Sequence, residues 1–180
     1  MKETSKQKKI IVFLDCGDTI IDESTEIRDQ DDIVVKAELI PGAGDMVRIL
    51  AEKGYRLCMV ADGNAQSFKN MMLDHQLYDY FEAMIYSENI KELKPSPRMF
   101  KAAMGALELT ESDISRIVMV GNNLSRDIAG ANRMELTSIH LDWTSRYPKT
   151  PKNKEETPDY TIHQPSELIP LVDRLNEQLI

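Results

Sequence analysis

Short, mostly apolar runs recur along the 180-residue chain at 10–14, 56–60, 83–86, 117–120, 138–141 and 160–162. The first, at 10–14, lacks the polar–apolar alternation of a half-exposed strand, which predicts a strand covered on both faces, as in a parallel sheet. The stretches between them carry apolar residues at helical spacing. After Pro41, Met46, Val47, Ile49 and Leu50 share one side, and Gly54 supplies a stop. A second helix runs from Asn64, a capping residue, through Phe68, Met71 and Met72. A third opens with Ser96 as cap and Pro97 in first position, burying Phe100, Ala103, Met104 and Leu107. A short helix is expected at 126–133. A last one holds Leu168, Leu171, Val172, Leu175 and Leu179, with Pro170 in its first turn. Strands alternating with helices in this way predict an α/β fold: a doubly wound, mainly parallel sheet with helices on both faces.

Two segments break the rhythm. The acidic stretch at 22–39 has a polar centre flanked by β-formers and reads as a small β-hairpin flap above the carboxyl end of the first strand. The Pro-, Lys- and Thr-rich stretch at 144–158 reads as a long loop. The length suits one domain over 1–180, with residues 1–9 as a disordered basic tail.

Acidic residues outnumber basic ones by 30 to 22, giving a net charge of −8, and no basic stripe exists beyond Lys6–Lys9. That balance argues against nucleic acid as a partner. No apolar run reaches membrane-spanning length and the N-terminus lacks the apolar core of a secretory signal, so no membrane association is expected. Cys16 and Cys58 lack metal-ligand spacing and read as reduced core residues of a cytoplasmic protein. His75, His140 and His163 also lack ligand spacing, and none is given a role.

The first polar side chain beyond the first run is Asp15, followed by Cys16-Gly17-Asp18-Thr19. Ligands of open α/β sheets bind at the carboxyl ends of strands. A carboxylate there, before a glycine-containing turn, suits a nucleophile and a ligand for a hard metal. Lys94-Pro95-Ser96-Pro97 sets a cation just before a helix N-terminus, close to where an anion would sit. Ala61-Asp62-Gly63-Asn64 follows the second run, and Gly121-Asn122-Asn123-Leu124-Ser125-Arg126-Asp127 follows the fourth. In order and spacing these four segments resemble the four motifs of the haloacid dehalogenase-like (HAD) superfamily, and the resemblance extends from Ile10 to about Leu175.

The resemblance implies a Rossmann-like HAD core without a cap domain, since the gaps at 20–41 and 64–94 are too short for one. It implies a Mg²⁺-dependent phosphatase of a phosphorylated small molecule, acting through an aspartyl-phosphate on Asp15. Lys94 would offset charge; Thr19, Asp62, Gly63 and Lys94 would border the phosphate. Asp15, the Gly17 carbonyl, Asn122 and Asp127 would hold the metal, although Asp127 also fits a plain helix-start charge. Capless members often use a neighbouring subunit to cover the site, so a homo-oligomer is an expectation.

The chain departs from the family pattern at Gly17, where the acid/base aspartate usually stands, at Ala61, usually a Ser or Thr donor, and at Asn122, usually an acid. A general acid/base is worth about 10²–10⁴-fold and one lost oxyanion donor on the order of 10²–10³-fold. The expected phosphatase is therefore slow or narrow in specificity. Asp18, one residue beyond the acid/base position, either reaches the leaving group or fixes its own turn. Trp143, Arg146, Tyr147 and Lys149 either contact the leaving group or pack the long loop. The alternatives are a catalytically impaired protein that binds a phosphorylated ligand or partner, and, third, a dehalogenase.

Overall fold

A computed structural model describes residues 8–179. Its strands are β1 (Ile11–Leu14), β2 (Ile27–Arg28), β3 (Val34–Lys36), β4 (Arg56–Ala61), β5 (Ala83–Tyr86), β6 (Ile117–Gly121), β7 (Thr137–Leu141) and β8 (Tyr160–Ile162). The helices are α1 (Ala43–Glu52), α2 (Ala65–Asp74), α3 (Ser87–Ile90), α4 (Pro97–Ala106), α5 (Ala129–Arg133) and α6 (Leu168–Glu177). Six strands form one sheet in the order β5-β4-β1-β6-β7-β8, every neighbouring pair parallel. Strands β2 and β3 pair antiparallel as a separate hairpin within the expected 22–39 segment.

The period-2 geometry of β1 divides the interior in two. Val12 and Leu14 point into a core shared with Met46, Val47 and Leu50 of α1, Met71 and Met72 of α2, and Leu171 and Val172 of α6. Ile11 and Phe13 point to the other face, against Met99, Phe100, Ala103 and Met104 of α4 and Ala131 of α5. Both faces of β1 are thus fully covered, which is why its sequence shows no alternation.

The expected helix signals act as chemistry requires. Asn64 accepts from the N–H groups of Gln66 and Ser67, Ser96 accepts from Arg98 N–H with Pro97 behind it, and Gly54 takes a positive φ of 80° beyond α1. The helix expected at 126–133 instead begins as a wide turn over Leu124–Ile128, in which Ile128 N–H reaches back to Asn123 O, before α5. Of the basic tail expected at 1–9, residues 1–7 lie outside the described residues. Lys8 pairs with Asp113 at 3.6 Å and Lys9 Nζ donates to Lys53 O at 2.7 Å.

Strand register places the site. Leu14 lies beside Met59 on one flank and Val120 on the other, and β4 and β6 run on to Ala61 and Gly121, so all three strands end along the same edge. The next residues from each strand, Asp15, Asp62 and Asn122, meet at the carboxyl edge.

Candidate active site

Asp15 is the first residue past β1, held by its N–H bonded to Val120 O at 3.0 Å. Lys94 arrives from the loop before α4, and its ammonium is almost wholly enclosed, at 1% side-chain exposure. Its Nζ lies 2.8 Å from Asp15 Oδ1, 2.7 Å from Val60 O and 2.7 Å from Asp127 Oδ1. The first two are directed hydrogen bonds and the third is an ion pair. The Lys94 backbone N–H donates to Asp62 Oδ1 at 3.0 Å, which ties the lysine loop to the end of β4.

Asp127 reaches this point because Gly121 has no side chain: a Cβ there would lie 2.2 Å from Asp127 Oδ2. The same oxygen accepts from Asn123 N–H at 3.0 Å. Gly130 plays a matching role beneath the lysine loop, since a Cβ there would strike the Phe100 ring at 2.4 Å.

Burial raises the Asp15 carboxyl to about 6, with the neighbouring Asp127 charge adding to the rise and Lys94 opposing it. Asp127 is raised chiefly by burial, again against Lys94. For Lys94 burial favours the neutral amine, but Asp127, Asp15 and Asp62 outweigh it and hold the ammonium charged. Asp62 and Glu23 are also raised, in each case first by burial.

The end of the Asn122 side chain that faces inward sits 3.2 Å from both Asp15 Oδ2 and Gly17 O. With its amide oxygen inward, three acceptors converge with no donor among them, the arrangement a hard cation would satisfy. With the amide turned, its NH₂ donates to both. The Asn122 main-chain carbonyl is braced by His140, a buried ring whose Nε2 lies 3.1 Å from it. Burial keeps that imidazole below its ordinary value. Nothing in its sequence spacing had marked His140.

These groups line a cavity of about 410 Å³. Asp15, Gly17, Lys94, Asn122 and Asp127 line it together with Asp62, Gly63 and Phe68. The hairpin contributes Glu26, Arg28, Asp31 and Asp32, so the acidic flap faces the cavity. Arg28 holds two of these acids, Glu26 at 2.6 Å and Asp32 at 3.4 Å. The flap leans on α2: Val34 N–H donates to Ser67 Oγ, Asn70 donates to Val34 O, and His75 Nε2 lies 2.7 Å from Ala37 O.

Three expected site residues sit otherwise than their expected roles require. Asp18 is fully buried, has a positive φ of 48° and does not line the cavity. Arg146 from the long loop grips both of its oxygens, and Oδ1 also accepts from Glu23 N–H at 3.2 Å. The structure therefore gives Asp18 the turn-fixing arrangement. Gly63 borders the cavity, but its N–H is engaged by Ser87 Oγ at 2.8 Å. The Thr19 hydroxyl is buried with no hydrogen-bond partner among the described residues and does not line the cavity.

Glu23 lines the cavity, and Tyr147 from the long loop donates to its Oε2 at 2.8 Å. Sequence reasoning passed over Glu23. The available signal was an acid eight residues past Asp15, at the start of a turn capped by Asp22.

Comparison with known proteins matches residues 5–141 to the family described as haloacid dehalogenase-like hydrolase. A glyceraldehyde 3-phosphate phosphatase of Methanopyrus kandleri is 29% identical over 126 residues, covering 70% of this chain and 53% of that protein. A pyrophosphatase PpaX of Bacillus mycoides is 25% identical over 135 residues, covering 73% and 59%. The chain thus spans about half the length of the curated relatives it matches. Among solved structures, the HAD-hydrolase YfnB of Bacillus subtilis, described as bound to magnesium, aligns with a TM-score of 0.72 at 17% identity, covering 92% of this chain and all of that one. A HAD phosphatase of Thermococcus onnurineus aligns at 0.65 and 24% identity, over 76% and 59%. At these identities the two structures speak for the fold.

Proposed function

The chain belongs to the haloacid dehalogenase-like hydrolase family, and on that premise we propose that it is a phosphatase of phosphorylated small molecules, with Asp15 as nucleophile. One observation carries the reading: at the end of the central strand, in an accessible cavity, a buried lysine stands between the buried carboxylate of Asp127 and the partly exposed carboxylate of Asp15. Ion pairs sunk this deeply are poor stabilisers, because desolvation offsets much of their attraction. Their cost makes sense where an incoming anion and cation complete the charge set.

An Asp15 oxygen forms a bond to phosphorus as the ester oxygen departs, and water then frees phosphate from the aspartyl-phosphate and returns the carboxylate. Lys94 stays against Asp15 and offsets charge on the phosphoryl oxygens. Asp62, Gly63 and Lys94, which line the cavity, border the phosphate. Asp18 serves by fixing the turn that carries the Gly17 carbonyl.

The converging oxygens of Asp15, Gly17 and Asn122, with Asp127 beside them, fit Mg²⁺. Bound there, the ion would polarise the phosphoryl group. Having Asn122 rather than an acid lowers the ligand charge and so the affinity. Cytoplasmic residence, one domain and a homo-oligomer covering the cavity mouth belong to the same reading.

The test is an assay of the purified protein with Mg²⁺ against a panel of phosphate esters, with Asp15→Asn alongside. Hydrolysis by the wild type alone is expected, and equal turnover by both proteins would sink the reading. A second reading, a protein that binds a phosphorylated ligand without turnover, is favoured by buried Ala61 at the donor position and by the engaged Gly63 N–H. Stoichiometric trapping of beryllium fluoride with Mg²⁺ on Asp15 would argue for the enzyme, and ligand binding without trapping for the binder.

A further inference from the structure

The turn after β1 carries three acids besides Asp15, and each has a different neighbour. Arg146 pairs with Asp18 and, at 2.8 Å, with Asp22. Glu23 makes no ion pair among the described residues. Its Oε2 accepts from Tyr147 OH, while Oε1 accepts no hydrogen bond from the described residues and points at Gly17. A Cβ built on Gly17 would lie 2.1 Å from Glu23 Oε1, 2.9 Å from Cδ and 3.0 Å from Cγ. The Glu23 carboxyl therefore fills the volume into which any side chain at position 17 would project. That volume lies two residues beyond Asp15, on the wall of the same cavity.

We propose that Glu23 is the proton donor and acceptor of this site, supplying from the next turn the carboxyl that position 17 lacks. The inference rests on the phosphatase reading above. In the first step an Asp15 oxygen bonds to phosphorus, the phosphorus–ester oxygen bond breaks, and that oxygen takes the Glu23 carboxyl proton to leave as an alcohol. In the second, a water oxygen bonds to phosphorus, its proton passes to the Glu23 carboxylate, and the bond between phosphorus and Asp15 breaks. Asp15 returns as a carboxylate, Glu23 as a carboxylic acid, and phosphate leaves. Tyr147 is a positioning residue: its hydrogen bond to Oε2 turns Oε1 toward the reacting oxygen. The Arg146 clamp holds the other two acids of the turn in ion pairs, so Glu23 is the one facing the cavity.

The pairing of Gly17 with Glu23 makes a two-site exchange the natural test. kcat/KM is measured with Mg²⁺ on an alkyl phosphate, whose leaving oxygen needs a proton, and on p-nitrophenyl phosphate, whose leaving group departs without one. Glu23→Gln is expected to lower the alkyl value by about 10²–10⁴-fold and the p-nitrophenyl value far less. Gly17→Asp alone collides with Glu23 and gains nothing. The double variant Gly17→Asp/Glu23→Ala is expected to recover alkyl activity at least tenfold over Glu23→Ala, and Tyr147→Phe to fall between wild type and Glu23→Gln. Thermal melts of each variant check folding. If Glu23→Gln lowers both substrates alike without recovery in the double variant, or changes neither while Asp15→Asn is inactive, the role of Glu23 is overturned and the phosphatase reading stands. If wild type and Asp15→Asn match on both substrates, the phosphatase reading falls and takes the role of Glu23 with it.

Discussion

Lys94 concentrates the electrostatics of the site in one side chain. Its ammonium faces Asp15, Asp127 and a main-chain carbonyl, and water reaches almost none of it. Replacing it by Met keeps the bulk and deletes the charge, leaving buried Asp127 and partly exposed Asp15 without a cation between them. Lys94→Met is therefore expected to destabilise the fold by about 3 kcal/mol at neutral pH and to lower turnover on the order of 10³-fold. Urea denaturation and the phosphate-ester assay check the two arms separately. Lys94 stood out from sequence because prolines on its C-terminal side fix the local backbone. Glu23 did not, because the space it fills is defined by an absent Gly17 side chain, and only the folded turn shows that.

The loop at 144–158 and the turn before β6 show how individual elements are secured. Arg146 joins the loop to the β1 turn through Asp18, which is fully buried. Arg146→Met should cost about 3 kcal/mol by leaving that carboxylate unpaired, and Asp18→Asn in the same chain should recover at least half, as read by denaturant melts. In the turn at Glu111–Arg116, Asp113 accepts from Thr110 N–H and from Arg116 Nε, each at 2.9 Å. The Thr110 N–H first, then Arg116 and Lys8, hold its carboxyl down to about 2 despite its burial. A depressed carboxyl stabilises the fold above its ordinary value and loses that contribution as pH falls. Asp113→Asn should therefore cost roughly 1–2 kcal/mol at pH 7, with the gap to wild type closing between about pH 4 and 2 in urea melts taken across that range.

Periodicity placed all six sheet strands within a residue at each end, most plainly β1 and β6, whose burial on both faces produces unbroken apolar runs. Cap residues placed α1, α2 and α4 for an equally local reason. The site was harder to read. Asp15, Lys94, Asn122 and Asp127 do meet, but the Arg146 clamp and the Tyr147 contact span more than 120 residues, a distance no local pattern encodes. The molecule as a whole is acidic, and the cavity concentrates that excess. Mg²⁺ at about 100 times its dissociation constant should stabilise the fold by about 2.7 kcal/mol, raising Tm by roughly 5–10 °C. Differential scanning fluorimetry should show that rise for the wild type, little of it in Asp15→Asn, and none with Na⁺ at matched ionic strength.

His140 touches the site only from behind. Because a carbonyl can only accept, the Asn122 oxygen requires the ring proton to sit on Nε2. Shut away from water, that proton should exchange slowly enough to give a resolved imidazole NMR signal. Any reorientation of Asn122 on cation binding would shift it, so the chain carries its own spectroscopic reporter of what occupies the cavity.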